Sequence, residues 1–133
     1  MILDSNVVIA LFQSEQLPMF ERLAEWQAVH SVHINLLIFA EVSPGFVSQN
    51  GLSLALEELG LQIAEISLEE AYRGGQAFAE YRRRGGHKAT ILPDFLIGAQ
   101  AATRGWPLVT RDRKGFASYF PDLEIIDPFE GIT

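Results

Sequence analysis

Apolar positions along the chain fall in short runs whose spacing switches between a period of two and a period near 3.6, and the switching predicts the elements. "MIL" reads as a strand that ends at Asp4, and Val7 to Gln13 as the opening of a helix. Pro18 opens an amphipathic helix to about Ala28, with Phe20, Leu23 and Ala24 on its core side. Ser31 to Ile34 alternates like a strand, and Asn35 is placed to cap the helix "LLIFAEVSPGF", whose end is loosened by Pro44 and Gly45. Leu52 to Leu59 is a short helix closed by Gly60, and "LQIAEI" at 61 to 66 is strand-like. A long helix from Leu68 to Arg84 carries Leu68, Ala71, Tyr72, Gly75, Phe78 and Ala79 along one stripe and stops at Gly85 and Gly86. Pro93 to Thr103 is a helix apolar on nearly every side. Leu108 to Thr110 is a strand, Arg113 to Tyr119 a short helix, and Leu123 to Ile126 a last strand before Pro128.

Strands alternating with helices at this spacing imply parallel strands joined by right-handed crossovers. The expected fold is therefore α/β: a three-layer α/β/α sandwich around a central, mostly parallel sheet. No repeat, low-complexity tract or linker interrupts the chain, so residues 1–133 are expected to form one domain. Hydrophobic residues make up 48% and charged residues 20%, which excludes a disordered chain. No apolar run approaches the roughly 18 residues of a membrane span, and the N-terminus lacks the basic region of a secretory signal, so a cytoplasmic location is expected. Cysteine is absent, which leaves oxygen and imidazole as metal ligands. The net charge of -7 argues against a simple electrostatic grip on nucleic acid.

Four acids stand in positions that call for an explanation. Asp4 and Asp112 each follow an apolar strand, and in open parallel sheets ligands bind beyond the carboxyl ends of the strands. Glu41 sits among apolar residues in "LLIFAEV", where an unpaired carboxylate is costly to bury, so a neutralising partner is expected. Asp94 opens the apolar helix "DFLIGAQAA". Each acid also has an ordinary role open to it. Asp4 could cap the following helix, Asp94 could favour a helix dipole, Asp112 could belong to a loop, and Glu41 could pair with an arginine. One hypothesis covers all four: a site for Mg2+ or Mn2+, hard cations that take oxygen ligands and serve phosphodiester hydrolysis.

At these residues the chain resembles the PIN-domain ribonucleases, in particular the VapC-like toxins of bacterial type II toxin-antitoxin systems. The resemblance is carried by "ILDSNVVIALF", "NLLIFAEV", "LPDFLIGAQA" and "LVTRDRKGF", in order along nearly the whole chain. It implies a metal-dependent endoribonuclease, a homodimer and a VapB-like antitoxin that silences the active site. By position, Asp4, Glu41, Asp94 and Asp112 would bind the metal and orient the attacking water, with Asn6 and Thr110 supporting them through hydrogen bonds. Two features depart from the usual pattern: Ser5 stands where threonine is frequent, and Gly115 precedes Phe116 where many relatives carry an acid. The quartet accounts for four of the 17 acids, so the site itself explains much of the charge imbalance.

The basic cluster "YRRRGGHK", with Arg82, Arg83, Arg84 and Lys88, is a candidate RNA clamp, and Arg111 and Arg113 flank Asp112 as further candidates. The alternative for the cluster is that Arg84 pairs with Glu80 one turn earlier. His30 and His33 read as surface or capped histidines rather than ligands. Phe12, Leu17, Met19, Phe20 and Trp26 are candidates for an antitoxin or dimer surface, with core membership the default. Three competing functions follow from the same acids. A phospho-acceptor receiver wants two adjacent early acids and a lysine after a late strand, and a haloacid dehalogenase-type phosphatase wants Asp-x-Asp, where position 6 is Asn. A catalytically silent PIN module that binds RNA or a protein partner is the third.

Overall fold

The computed structural model describes residues 1–13, 17–87, 92–112 and 118–130. Five strands, β1 (Ile2–Leu3), β2 (His33–Ile34), β3 (Gln62–Ile63), β4 (Leu108–Val109) and β5 (Ile125–Ile126), form one sheet in the order β3-β2-β1-β4-β5. All four pairings are parallel, with Ile2 opposite both His33 and Leu108 and Leu3 opposite Val109. Six helices flank it: α1 (Ser5–Leu11), α2 (Leu17–Gln27), α3 (Leu36–Val42), α4 (Gln49–Glu58), α5 (Leu68–Arg83) and α6 (Leu92–Arg104). The chain walks from β1 outward to β3 and then jumps back across the centre to β4. Because crossovers are right-handed, that reversal puts α5 and α6 on the face opposite the earlier helices, giving the expected sandwich. Residues 113–117, most of the short helix predicted from Arg113, lie outside the described residues, as does Lys88.

The two strand residues of β1 are fully buried at the centre of the sheet, where an apolar pair can be covered on both faces. Local sequence sets the helix starts. Asp4 caps α1, Asn35 Oδ1 accepts the Ile38 N–H at 3.0 Å to cap α3, and Ser48 starts α4 three residues before the predicted Leu52. Asn35 also donates through Nδ2 to Gln100 Oε1 at 2.8 Å, a buried bond that ties the start of α3 to α6. Gly60, at φ 73°, closes α4 in the left-handed region where glycine is strain-free. Among the described residues no helix is long and apolar enough to cross a membrane.

The face of α5 differs from the predicted stripe. Leu68 is 91% exposed and Tyr72 71% exposed, whereas Glu70 and Gly74 are buried, followed by Ala77, Phe78 and Tyr81 packed against the core. The cause is α6. A Cβ on Gly74 would stand 3.1 Å from the Phe95 carbonyl oxygen and 2.9 Å from Leu96 Cδ2, so the helices touch where glycine removes a side chain. One turn earlier, Glu70 takes Arg104 in a two-toothed ion pair, with Nε 2.7 Å from Oε2 and Nη2 3.2 Å from Oε1. Glu70 is 2% exposed, and it also closes a capping box with Ser67. An apolar stripe read from sequence leaves out a glycine contact and a buried acid, and those two decide the packing.

Two predictions follow from this contact. Gly74→Ala should lower unfolding stability by about 1–3 kcal/mol through overpacking against α6, measured as a shifted urea midpoint with an unchanged slope. Burial pushes the Glu70 carboxyl up, but the Arg104 hydrogen bonds, the Ser67 N–H and the arginine charge outweigh it, so its pKa lies below the usual value of 4.5. A depressed folded pKa gives stability that is present above the unfolded value and lost as pH falls through the folded one. Unfolding free energy should therefore drop as pH is lowered from about 5 toward 3. In Glu70→Gln that part of the pH dependence should be missing.

Candidate active site

The reversal of strand order falls between β1 and β4, and their carboxyl ends carry Asp4 and Thr110. The sheet itself fixes Asp4, because its N–H donates to the Val109 carbonyl at 2.9 Å. Its carboxylate has two further anchors. Oδ1 accepts the Ser5 N–H at 2.8 Å, the capping role that sequence left open, and Oδ2 accepts the Thr110 hydroxyl at 2.9 Å.

Thr110 is fully buried and serves three groups at once. Besides donating to Asp4, its Oγ1 accepts Asn6 Nδ2 at 3.2 Å and the Asp112 N–H at 3.0 Å. Asn6 returns the link through Oδ1, which accepts the Arg111 N–H at 3.1 Å. The turn after β1 and the turn after β4, over a hundred residues apart in sequence, are thereby joined through two side chains. A threonine suits this because a hydroxyl donates once and accepts twice.

Glu41 and Asp94 enter from the helices. The Glu41 carboxyl is raised above the usual 4.5, first by burial and then by the charges of Asp4 and Asp94, against a lowering hydrogen bond from the Ser5 hydroxyl. That influence puts the acids that follow β1 and that stand in α3 and α6 within electrostatic reach of one another. Asp112 is joined to Asp4 through Thr110. Among the described residues, no three acids or histidines are gathered tightly enough to form a ready-made cage for an ion.

The expectation that Glu41 is enclosed by apolar residues needs correction. Leu36 on the same helix is 65% exposed and Glu41 as a whole residue is exposed too, so its carboxyl is only partly shielded from water and no arginine is required to neutralise it. A short helix of seven residues that packs on α1 buries only Ile38 and Val42. Ser5, noted only as a departure from the usual threonine, supplies the hydroxyl that tempers the rise of the Glu41 pKa.

The basic cluster is already engaged. Glu80 takes both Arg83, at 2.5 Å from Oε2, and Arg84, at 3.0 Å from Oε1, while Arg82 lies 5.8 Å over the Phe78 ring and Arg84 5.0 Å over Tyr119. This is the helix-end pairing that stood as the alternative to a clamp. Lys88 and Arg113 fall outside the described residues. Arg111 is exposed, with its guanidinium 3.8 Å over the Phe129 ring. His33 stacks on Trp106 at 4.1 Å, beside the start of the strands and away from the acids.

Of the apolar surface candidates, Met19 belongs to the core, Phe12 and Trp26 pack partly against it, and Phe20 remains exposed. The Leu17 side chain is outside the described residues. Phe12 meets Phe46 edge to face at 5.0 Å and lines a groove of about 390 Å³ with Ile9, Gln13, Val42 and Gly45. It runs along α1, the helix that Asp4 caps.

Replacing Thr110 by valine keeps the volume and removes the bridge. Thr110→Val should cost about 1–3 kcal/mol of stability because the Asn6 amide and the Asp112 N–H lose their acceptor, measured by chemical unfolding.

With this geometry in place, comparison with known proteins is informative. The family model described as PIN domain matches residues 1–119. No functionally curated protein is a significant match. A toxin-antitoxin complex from Klebsiella pneumoniae contains a chain 28% identical, with a TM-score of 0.70 and 96% of each chain covered. VapBC2 from Rickettsia felis, bound to a DNA fragment from its promoter, matches with a TM-score of 0.74 at 19% identity, over 93% of this chain and 95% of that one. DNA-bound VapBC from Salmonella typhimurium matches with a TM-score of 0.74 at 21% identity and 96% of each chain.

Proposed function

The chain belongs to the PIN-domain family, and from that premise we propose that it is a metal-dependent endoribonuclease, the VapC-like toxin of a type II toxin-antitoxin pair. One observation carries the reading: Glu41 feels the charges of Asp4 and Asp94, so acids from three separate parts of the chain come within electrostatic reach of one another. A stable fold has no use for that arrangement, since mutual repulsion raises the energy of every member. The donor set is all carboxylate oxygen, in a chain without cysteine, and that chemistry fits Mg2+ or Mn2+. Asp4, Glu41, Asp94 and Asp112 would hold the cation. When bound, it would lower the pKa of water and offset charge on the phosphate.

The remaining work falls to the chain. Thr110 and the Ser5 N–H hold the Asp4 carboxylate in one orientation, and the Ser5 hydroxyl tempers the rise of the Glu41 pKa. Asn6 and Thr110 keep the β1 and β4 turns at a fixed separation, so Asp112 stays in register with Asp4. A phosphodiester approaching these acids is repelled unless a cation lies between them, which makes cleavage depend strictly on metal.

Support for the partner comes from the solved neighbours, which are toxin-antitoxin complexes. The groove of Ile9, Phe12, Val42 and Phe46 is the apolar surface beside the acids on which an antitoxin segment would seat. The proposed species is a cytoplasmic homodimer built of one domain per chain, held silent by a VapB-like antitoxin. Its RNA contacts are drawn from the exposed arginines, with those paired to Glu80 the weaker candidates. The alternative reading is a catalytically silent PIN module that binds RNA or a protein partner.

Cleavage of structured RNAs by antitoxin-free protein separates the two. The expected result is cleavage with Mg2+ or Mn2+ that stops with chelator and falls at least about 100-fold in Asp4→Asn and Asp94→Asn, with unfolding midpoints kept. Binding without cleavage under every metal condition would establish the silent module instead.

A further inference from the structure

Arg111 is positioned twice. Its backbone N–H is held by Asn6 Oδ1 at 3.1 Å, and its guanidinium lies over the Phe129 ring at 3.8 Å from the centroid, close enough for flat contact. Phe129 sits in a turn that is itself fastened. The Asp127 carboxylate accepts the Phe129 N–H at 2.9 Å, Pro128 is buried, and Arg22 on α2 donates to the Glu130 carbonyl at 3.2 Å. A turn beyond the last strand is thus held against the Arg111 side chain.

Arg111 forms no ion pair with any described residue, although it lies between Thr110 and Asp112 at the acids' own edge. Arg73, Arg83, Arg84 and Arg104 all hold carboxylates. A ring face holds a guanidinium through its π-electrons and leaves the N–H fork free at the edge to take oxygens. A carboxylate partner would have consumed that fork.

Resting on the ribonuclease reading above, we infer that the turn Asp127–Glu130 is part of the substrate site: Arg111 grips an RNA phosphate beside the acids, and Phe129 is a positioning residue that holds the guanidinium there. The stack solves a local problem. A free arginine next to several acids would fold back onto one of them and compete with the cation, and the ring keeps it out. The phosphate then meets one fixed cation of the chain before it reaches the acids.

The test uses the full-length protein in two assays. Affinity for a short fluorescein-labelled single-stranded RNA of mixed sequence is measured by anisotropy over a salt series, in Mg2+ and in the Asp94→Asn background so that the probe survives. Arg111→Ala and Phe129→Leu should each weaken binding about fivefold and flatten the log-log salt slope by about 0.7, the value of one phosphate contact on a single strand. Because Phe129 acts through Arg111, the double variant should be no weaker than Arg111→Ala, and Phe129→Tyr should restore the parent's affinity and slope. In the cleavage assay, with Asp94 intact, both single variants should raise KM more than they lower kcat.

Unchanged affinity and slope in Phe129→Leu, or losses that add in the double variant, would overturn the inference. Should Phe129→Leu unfold, Arg111→Lys answers the same question, since it keeps the charge and gives up the flat stack. Parent-like binding by it overturns the stack's role, and weakened binding supports it. An unmutated protein that cleaves RNA while both variants keep its KM defeats this inference alone. One that neither binds nor cleaves RNA defeats the ribonuclease reading and this inference together.

Discussion

Carboxylates that repel one another have to be held in place by something other than their own contacts, and here the holding is done by one buried hydroxyl. Thr110 Oγ1 ties Asp4, Asn6 and Asp112 into a single unit at the centre of the sheet. Its position is not free to drift, since its N–H is bonded to the Ile126 carbonyl and β4 is paired on both sides. The rigidity of a five-stranded parallel sheet is thereby passed to side chains at its edge. The helix-borne acids, Glu41 and Asp94, can then be brought up against a fixed pair.

The packing of α6 completes that arrangement. Asp94 stands in its first turn, and the rest of the helix from Phe95 to Ala102 is almost entirely buried. Two polar links pin it lengthwise: Gln100 to Asn35 and to the chain after β3, and Arg104 to Glu70 on α5. Gly74 lets α5 lie directly on it. Sliding α6 by one residue would break all three contacts at once, so the site inherits its fourth wall from a helix locked far from the cleft.

Charge ties the structure to its chemistry. A chain of net charge -7 that sets Asp4, Glu41 and Asp94 within electrostatic reach of one another is a poor partner for a phosphodiester without a cation. The local arginines do not change this evenly. Those at the end of α5 are spent on Glu80, while Arg111 is held by an aromatic ring. Under the proposed function, such an arrangement would favour a ligand that brings phosphate and divalent metal together.

The fold was legible in the sequence because it depends on short-range regularities: strand runs such as "MIL", caps at Asp4 and Asn35, and stops at Gly60 and Gly85. The acids of the candidate site were legible too, since an acid at a strand end or opening an apolar helix violates local pattern. What the pattern missed is made of contacts between residues distant in sequence. The inward face of α5 was misassigned because Gly74 and Glu70 owe their burial to α6, and the enclosure of Glu41 was overstated because a seven-residue helix at the sheet's flank stays open on one side. The Arg111 and Phe129 pairing leaves no local signal, an arginine in a turn and a phenylalanine after proline being ordinary. Periodicity and capping are local free energies that sequence alone determines. Burial, ion pairing and the meeting of like charges depend on which elements pack together, and only the folded chain decides that.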